Sequence, residues 1–238
     1  MPPTELDFEH RAYLSEWMDE PCTYEDFRDC LRDLQQVNTL TFARRGTMHW
    51  LHKLPRGSAP LHIVDVGCGG GDTLRHIERA AKQWSMPVRL TGIDLNPYAA
   101  LAATEFTPAG SAIHWVTGDA FSYQPEAPVD VVISSLFTHH LPDAEIVHFL
   151  NWMTETARVG WFINDLYRAR MPYRAFAALS KVARWHRFVQ HDGPVSIRRA
   201  FREGDWKAYL QAAGLEGIGA EIQPVWPARL CVSWLRAD

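Results

Sequence analysis

From residue 61 onward, short apolar runs alternate with amphipathic segments, and this alternation limits the fold more than any other feature of the chain. Five runs predict strands, namely LHIVDV at 61–66, VRLTGIDL at 88–95, IHWVTGD at 113–119, VDVVISS at 129–135 and GWFIND at 160–165. Strands that alternate with helices are joined by right-handed crossovers and form a parallel sheet. The sequence therefore predicts a doubly wound α/β domain.

The segments between these strands have helical patterns. In the segment 72–84, Leu74, Ile77 and Ala81 are expected to face inward. Pro97 stands at the first position of the helix after the second strand, where a proline is well tolerated. The remaining predicted elements are a basic helical stretch at 173–189, a helix at 204–215 and two closing strands at 216–225 and 228–237.

Residues 5–58, which precede the alternating region, read as helical. Thr23 and Asp26 predict a cap for one helix, because a threonine hydroxyl can accept from a free amide of the first turn. The apolar side chains of that helix recur at spacings of three and four, at Phe27, Leu31, Leu34, Val37 and Leu40. The sequence PRGSAP at 55–60 breaks the pattern and is expected to be the linker into the main domain.

A glycine-rich loop, VGCGGGDT, follows the first strand directly. Gly67, Gly69 and Gly71 allow a ligand to approach the backbone closely. A dinucleotide loop has the pattern G-x-G-x-x-G/A, but its sixth position here is Asp72 or Leu74, according to the starting glycine. The spacing therefore disfavours a nicotinamide dinucleotide and leaves a ligand with a zwitterionic tail as the better match.

Acidic residues stand at the carboxyl ends of three successive strands. Asp65 precedes the glycine loop, where a carboxylate favours a positively charged group of the ligand. Asp94 ends the second strand, a position suited to accepting from ribose hydroxyls. Asp119 and Ala120 follow the third strand, where a carboxylate and a backbone amide are placed to meet an adenine ring. Each acid alone is an ordinary strand-end residue, but together they predict one nucleoside-binding cradle.

The segments VDVGCGGGDT, GIDLNP, TGDAF and VDVVISSLFTHHLPD resemble the successive motifs of class I S-adenosylmethionine (SAM)-dependent methyltransferases. The resemblance covers about residues 61–165. Within this class of enzymes, the chain is similar to the ubiquinone/menaquinone-methylase branch. It implies a seven-stranded, mostly parallel Rossmann-like sheet with a helical N-terminal cap and a helical insertion after strand 5. It also implies SAM as cofactor and S-adenosylhomocysteine (SAH) as product. The implied cofactor-binding residues are Asp65, Gly67, Cys68, Gly69, Gly71, Asp94, Leu95, Asp119, Ala120 and Ser135.

Methyl transfer from an activated sulfonium needs a base only when the acceptor is an unionised hydroxyl or amine. His139 and His140 follow the fourth strand and are candidates, unless one of them caps the next helix or bonds a backbone carbonyl. Asp165, after the fifth strand, is another candidate, although Asn164 or Asp165 can equally be the cap of a helix. His191 in the basic insertion is the fourth candidate, with a role in a turn as its alternative.

Several partners are disfavoured by the sequence. Ser134 and Ser135 stand where a metal-dependent methyltransferase would need a carboxylate, so no metal is expected. The net charge of −4 and the absence of an N/D-P-P-Y/F stretch after the fourth strand argue against nucleic acid. The four cysteines are scattered and the first ten residues contain no apolar signal region, so a cytoplasmic protein is expected.

The segment from Leu166 to Arg202 contains nine lysines or arginines and one acid. It is expected to form, with the N-terminal helices, a lid over the sheet edge. Its basic and apolar faces suit either simple helix packing or peripheral contact with a membrane through 170–190. Arg44 and Arg45 are either surface charges or ligands of the SAM carboxylate. The predicted organisation is a cap at 1–58 and a SAM-binding domain at 59–238, with the insertion at 166–203.

The function expected from these features is methylation of a hydroxyl, with a phenol as the leading candidate, on a small apolar metabolite. The flanking segments LRDLQQVNTL and QHDGPVSIRRAF are similar to bacterial enzymes that tailor phenolic or polyketide products. Carbon methylation of a quinone or polyketide is one alternative. A nicotinamide-dependent oxidoreductase and a SAM-binding module without catalysis are two others. A monomer and a homodimer are both compatible with the sequence.

Overall fold

The computed structural model describes residues 6–55 and 57–237. Residues 1–5 of the predicted cap, Arg56 of the predicted linker and Asp238 lie outside the described residues. The strands are β1 (Leu61–Val66), β2 (Val88–Asp94), β3 (His114–Thr117), β4 (Val131–Ser135), β5 (Gly160–Leu166), β6 (Glu221–Val225) and β7 (Arg229–Leu235). The α-helices are α1 (Tyr24–Leu40), α2 (Arg45–His52), α3 (Asp72–Gln83), α4 (Pro97–Phe106), α5 (Asp143–Thr156), α6 (Arg170–Val182), α7 (Arg187–Arg199) and α8 (Glu203–Ala212). Short 3₁₀ helices lie at Trp17–Asp19, Ala120–Ser122 and Thr138–His140.

The seven strands form one sheet in the order β3-β2-β1-β4-β5-β7-β6. The first five pair in parallel, and β7 runs antiparallel to both β5 and β6. The strand order reverses between β1 and β4, and the carboxyl ends of strands at such a reversal are where α/β sheets bind ligands. The predicted doubly wound, seven-stranded, mostly parallel sheet is confirmed.

Apolar side chains are buried on both faces of the sheet, as expected for strands covered by helices. On α3, Leu74 and Ile77 are fully buried and Ala81 is 1% exposed, so the predicted inward face is confirmed. On the other side of the core, Trp161 and Trp206 are among the largest fully buried side chains. Among the described residues, no helix has the length and apolar character needed to span a bilayer.

The prediction that residues 5–58 are helical throughout is wrong for the part before α1. Residues 6–16 are not helical, and regular helix begins only at Tyr24. The early segment lies across the distant α7, where Ala12 N donates to Arg198 O and Trp17 N to Asp192 Oδ1. Its backbone groups are therefore satisfied by tertiary contacts rather than by helical ones.

The predicted capping of α1 is confirmed, and its predicted apolar face is confirmed in part. The Thr23 hydroxyl accepts from Asp26 N at 3.2 Å. Phe27, Leu31 and Val37 are buried at this face. Leu40, in contrast, is 60% exposed, because it follows Leu31 by nine residues, or two and a half turns, and so lies on the opposite side of the helix.

The basic stretch predicted as one helix at 173–189 is two helices, α6 and α7. Arg184 adopts a positive φ of 54° between them, which ends α6. The His186 side chain then accepts from Phe188 N at 3.4 Å and caps α7. The two helices pack closely at Gly193, where an added Cβ would lie 2.0 Å from the Phe176 ring.

Two further boundaries differ from the sequence interpretation. The helix entry considered at Asn164 and Asp165 is wrong, because β5 continues through both residues to Leu166. The closing strand predicted from residue 216 begins only at Glu221. The glycines that precede it, Gly217 and Gly219, have positive φ values of 83° and 82°, which do not fit an extended strand.

Candidate functional site

A cavity of about 1120 Å³ opens at the carboxyl ends of β1, β2 and β4, at the reversal of strand order. One side is formed by the loops after these strands. The other is formed by α1, α6 and α7, whose side chains close over the sheet edge. Pockets for one small ligand typically measure ~300–1,000 Å³. The cavity is therefore large enough to hold a nucleoside-sized ligand together with a second small molecule.

The glycine loop after β1 has the backbone conformation that its sequence predicts. Gly67 and Gly71 have φ values of 70° and 72°, a region in which other residues are strained. A Cβ on Gly67 would lie 2.6 Å from the Phe137 ring, and one on Gly71 would lie 2.2 Å from Trp115. Gly67 lines the cavity, whereas Gly71 is where the loop turns into α3 and is not among the lining residues.

Asp94 fixes the glycine loop to the end of β2. One of its carboxylate oxygens accepts from Gly69 N at 2.8 Å, and the other accepts from Asn96 N at 2.9 Å. Burial raises the pKa of this carboxyl above its ordinary value, although both amide bonds oppose the shift. Asp119 accepts from Phe121 N at 3.0 Å and begins a 3₁₀ helix whose first residue is the buried Ala120. The two acids that were predicted to bind a nucleoside therefore face the same cavity.

A small side cavity behind the glycine loop contains unsatisfied buried polar atoms of opposite charge. In the described part of the chain, Asp65 Oδ1, Arg229 Nη1 and Asn38 Oδ1 are buried without a hydrogen-bond partner, and their side chains line this space. Burial raises the pKa of Asp65 well above its ordinary value and lowers the pKa of Arg229 to about 10. Unpaired buried groups are costly, so these atoms call for a ligand with a cationic and an anionic end.

An amino-acid tail meets that requirement, since its ammonium suits Asp65 and its carboxylate suits Arg229. The sequence left Arg44 and Arg45 open as ligands of that carboxylate or as surface charges. Arg44 lines the side cavity but pairs with Asp72 at 2.6 Å, and Arg45 is exposed. Arg229 was not identified from the sequence as a ligand of the carboxylate. An arginine at the start of an apolar strand could have indicated this role.

His139, which lines the cavity, is held by the buried carboxylate of Asp165. Its Nδ1 lies 2.8 Å from Asp165 Oδ1, while Asp165 Oδ2 accepts from the Thr138 hydroxyl at 2.6 Å. Burial opposes ionisation of Asp165, but the neighbouring imidazole and these hydrogen bonds hold its pKa well below the ordinary value. An ionised carboxylate only accepts, so Nδ1 of His139 is the protonated nitrogen and Nε2 is left facing Glu16.

Glu16, from the N-terminal segment, joins the two histidines. Its carboxylate oxygens lie 3.7 Å from His139 Nε2 and 3.8 Å from His140 Nε2. Burial lowers the pKa of His140, but its hydrogen bond with Asp19 and the charges of Glu16 and Asp19 raise it above the ordinary value overall. Arg199 Nη1 lies 3.5 Å from the same Glu16 carboxylate and partly neutralises it.

The ligand atoms of Glu16, His139 and His140 lie within 4.8 Å of one another and could hold a metal ion.

Sequence reasoning missed Glu16 and Asp19, because no local pattern links them to the histidines. The alternative to a role as base was that one histidine caps the next helix or bonds a backbone carbonyl. The structure shows both of them paired with carboxylates instead.

The structure brings most of the predicted site residues to this cavity. The predicted cofactor residues that line it are Gly67, Cys68, Gly69, Asp94, Leu95, Asp119, Ala120 and Ser135. Among the predicted bases, His139 and His140 line it, and Asp165 lies behind His139. His191 is not among the lining residues, because its ring stacks on Trp17 at 3.9 Å and its Nδ1 pairs with Asp192.

The cavity is acidic at its polar surface and otherwise apolar. The acidic residues that line it are Glu16, Asp19, Asp72, Asp94, Asp119, Glu145 and Asp192, whereas Arg229 is the lining arginine. Apolar side chains cover the part between α1, α6 and α7, including Met18, Leu34, Val37, Met171, Phe176, Leu179, Val189 and Ile197. This surface suits a cationic ligand and an uncharged apolar one.

Comparison with known proteins connects this geometry to one class of domain. Residues 63–160 match the family described as a methyltransferase domain. The trans-aconitate 2-methyltransferase of Mycobacterium marinum is 32% identical over 100 residues, which are 42% of this chain and 34% of that protein. The enzyme of the same name from Streptomyces avermitilis is 31% identical over 93 residues, or 38% of this chain and 32% of that one. The match thus spans about a third of the length of these relatives.

Two solved structures share the fold over most of the chain. The plantazolicin methyltransferase BpumL, in complex with SAH, has a TM-score of 0.65 at 15% identity and covers 93% of both chains. Human N-acetylserotonin methyltransferase, in complex with SAM, has a TM-score of 0.61 at 14% identity and covers 91% of this chain and 57% of that one. The resemblance of residues 63–160 to a methyltransferase domain is confirmed, and the solved structures confirm the fold. The ubiquinone/menaquinone branch stays a prediction.

Proposed function

We propose that this chain is a SAM-dependent methyltransferase that transfers a methyl group to a hydroxyl oxygen of a small apolar acceptor, in the simplest case a phenol. The observation that carries the proposal is the continuity of one cavity, which joins the glycine loop to the His139–Asp165 pair. A site for binding alone would have no need of a histidine held by a buried carboxylate beside the cofactor loop.

The residues around the glycine loop fit SAM along its length. Asp65 and Arg229 would hold the ends of the methionine tail, Asp94 the ribose, and Asp119 with Ala120 the adenine. When bound, SAM supplies a methyl group on a sulfonium carbon that is already activated for displacement. The acidic lining of the cavity suits the positive charge of that sulfonium.

His139 is the proposed general base. Asp165 keeps the proton on Nδ1, so the lone pair of Nε2 is available to an acceptor hydroxyl. As the proton transfers, the charges of Asp165 and of Glu16, 3.7 Å from Nε2, stabilise the imidazolium. The apolar helices around the acceptor exclude water, which strengthens these interactions.

The lining also bears on the class of acceptor. The two relatives from Mycobacterium marinum and Streptomyces avermitilis are named for trans-aconitate, which carries three carboxylates. Acidic residues predominate in this cavity, and its guanidinium, Arg229, lies at the cofactor end. A tricarboxylate would be repelled there, whereas an uncharged aromatic alcohol would pack against residues such as Phe176 and Leu179. Tailoring of phenolic or polyketide metabolites is the role that fits this surface.

The cofactor is tested by thermal unfolding with saturating SAM, SAH, NAD⁺ and NADP⁺ in parallel. A ligand at 100 times its Kd adds about 2.7 kcal/mol, which for a chain of this size raises Tm by roughly 5–10 °C. We expect the shift with SAM and SAH only. A shift with the nicotinamide nucleotides alone would reject the proposed reading of the glycine loop.

The acceptor is tested by incubating the protein with methyl-labelled SAM and a panel of alkylphenols, phenolic polyketides, amines and trans-aconitate. We expect label in the phenols, and NMR of the product separates an O-methyl from a C-methyl group. Label in trans-aconitate alone would overturn the proposed acceptor class. Binding of SAM without labelling of any acceptor would favour a module without catalysis.

Replacing Asp94 with alanine is expected to weaken SAM binding about 5- to 150-fold, equivalent to about 1–3 kcal/mol for a lost charged hydrogen bond. The change also releases Gly69 N from its acceptor, so the loop loses its anchor on β2. Isothermal titration with SAM measures the effect, with Glu126→Ala on the exposed surface as the control. Unchanged affinity would show that Asp94 does not contact the cofactor.

The His140–Asp19 pair predicts a pH dependence of stability. The folded state raises the pKa of His140 above its unfolded value of about 6.5. The pair therefore stabilises the fold fully below that pH, and the contribution disappears as the pH rises through the folded pKa. The difference in free energy of unfolding between the native chain and His140→Asn should therefore be largest below about pH 6.5 and shrink as the pH rises above it. A difference independent of pH would contradict the pairing.

A further inference from the structure

Helix α6 buries very little of its own surface. Of its 13 residues, Ser180 is the buried one. The helix nevertheless carries large apolar side chains, and Met171, Leu179 and Val182 are 69%, 41% and 81% exposed. Apolar side chains grouped on an exposed helix mark an interaction surface more often than isolated ones do.

Two of these side chains, Met171 and Leu179, line the cavity while remaining exposed, so they stand at its mouth. Val182 follows Leu179 by one turn on the same helix. Thr41 and Pro227 also line the cavity, and the residues next to them in the sequence, Leu40, Phe42 and Trp226, are exposed and apolar. The mouth surface is defined here as the exposed apolar residues Leu40, Phe42, Met171, Leu179, Val182 and Trp226.

The side chains from the two neighbouring segments are also in contact with each other. Phe42 and Trp226 are 57% and 70% exposed, and their ring centroids lie 6.2 Å apart. The mouth surface is thus an aromatic pair together with one strip of a helix, rather than single scattered residues.

A basic strip runs beside the apolar strip of α6. Arg174 and Lys181 are seven residues apart, so they lie on one side of the helix, and Arg184 follows in the loop. No acidic residue occurs between residues 166 and 191. Within the described ranges 6–55 and 57–237, none of these three cations forms an ion pair. Their charge is therefore available to an anionic partner.

We propose that the mouth surface and this basic strip dock the protein on an anionic lipid bilayer, so that an apolar acceptor enters the cavity from the membrane. An amphipathic helix with an apolar strip and adjacent lysine and arginine residues lies in the plane of such an interface. The anionic lipid headgroups balance the cations, while the acyl region receives the apolar side chains. Docking does not depend on the proposed chemistry, whereas the entry of an acceptor does.

The test is sedimentation of the full chain with vesicles of phosphatidylcholine alone, or of phosphatidylcholine and phosphatidylglycerol in equal amounts, at low and high salt. We expect binding to the anionic vesicles, weakened by salt. Each basic charge removed should lower the partition coefficient about fivefold. Arg174→Glu with Lys181→Glu, and separately Val182→Asp, should therefore abolish most of the binding.

Matched controls carry the same changes elsewhere. Leu101 is 58% exposed on α4 and Lys207 is exposed on α8, and neither is a lining residue of the cavity. Leu101→Asp and Lys207→Glu should bind vesicles as the native chain does, and all variants should keep the thermal shift with SAM. Absence of binding to anionic vesicles, or equal losses in the controls, would overturn the proposal. A dimer that Val182→Asp dissociates, without vesicle binding, would assign the surface to a second copy instead.

Discussion

Replacing His139 with glutamine is expected to lower kcat by about 10²- to 10⁴-fold while leaving the Kd for SAM nearly unchanged. General-base catalysis typically contributes a factor of this size. Glutamine retains an amide that can donate to Asp165, so the buried carboxylate keeps a partner and the fold is preserved. The measurement is turnover of the acceptor found in the labelling screen, with SAM titration on the same variant.

Three companion experiments sharpen this result. Asp165→Asn should also lower kcat and change its pH profile, because an amide no longer fixes the tautomer of His139. His191→Gln should leave kcat unchanged, since that ring stacks on Trp17 and is not a lining residue. Chelation with EDTA should have no effect. Loss of activity with EDTA would indicate instead that Glu16 and the histidines hold a metal ion.

Arg168 is expected to be the most important single side chain for stability. It is fully buried, pairs with Asp205 at 2.9 Å and donates to the carbonyl oxygens of Phe8, Glu9 and Ala200. Arg168→Met keeps an unbranched apolar stem but removes the guanidinium, so these acceptors are left unpaired. Removing one partner of a buried ion pair costs about 3–5 kcal/mol, so the free energy of unfolding should fall by about that amount.

Urea unfolding measures this change, with Arg89→Met as the matched control. Arg89 also pairs with a carboxylate, that of Glu126, at 3.1 Å, but the two side chains are 49% and 87% exposed. Exposed pairs contribute about 0–1 kcal/mol, so the control should unfold almost as the native chain does. Equal losses in the two variants would show that burial of Arg168 has no particular energetic importance.

The sequence predicted the fold and the cofactor end of the cavity because both depend on local patterns. The glycine loop follows β1, Asp94 ends β2 and Asp119 comes shortly after β3, and parallel strands bring their carboxyl ends to one edge. Position along the chain therefore translates into position in space. The α6–α7 turn was harder to predict, because the residue with a positive φ in this turn is Arg184 and not a glycine.

The part of the cavity around His139 and Glu16 could not be predicted in the same way. Glu16 approaches His139 from a segment that has no regular structure, so no periodicity connects them. His191 was a reasonable candidate from the residues around it in the sequence. Its ring instead stacks on Trp17, which comes from that same N-terminal segment, and so it does not line the cavity. Long-range contacts of single side chains are the part of the structure that sequence patterns do not encode.

The N-terminal segment has a consequence for how such a protein can change. It brings Glu16 and Met18 to the cavity, and within the described residues no hydrogen bond joins residues 6–23 to the glycine loop, Asp94 or Asp119. On the proposed function, substitutions in residues 6–23 are expected to alter the strength of the proposed base and the choice of acceptor while the affinity for the cofactor persists. The two properties would then depend on separate stretches of the chain, and a new substrate could be acquired without rebuilding the nucleotide site.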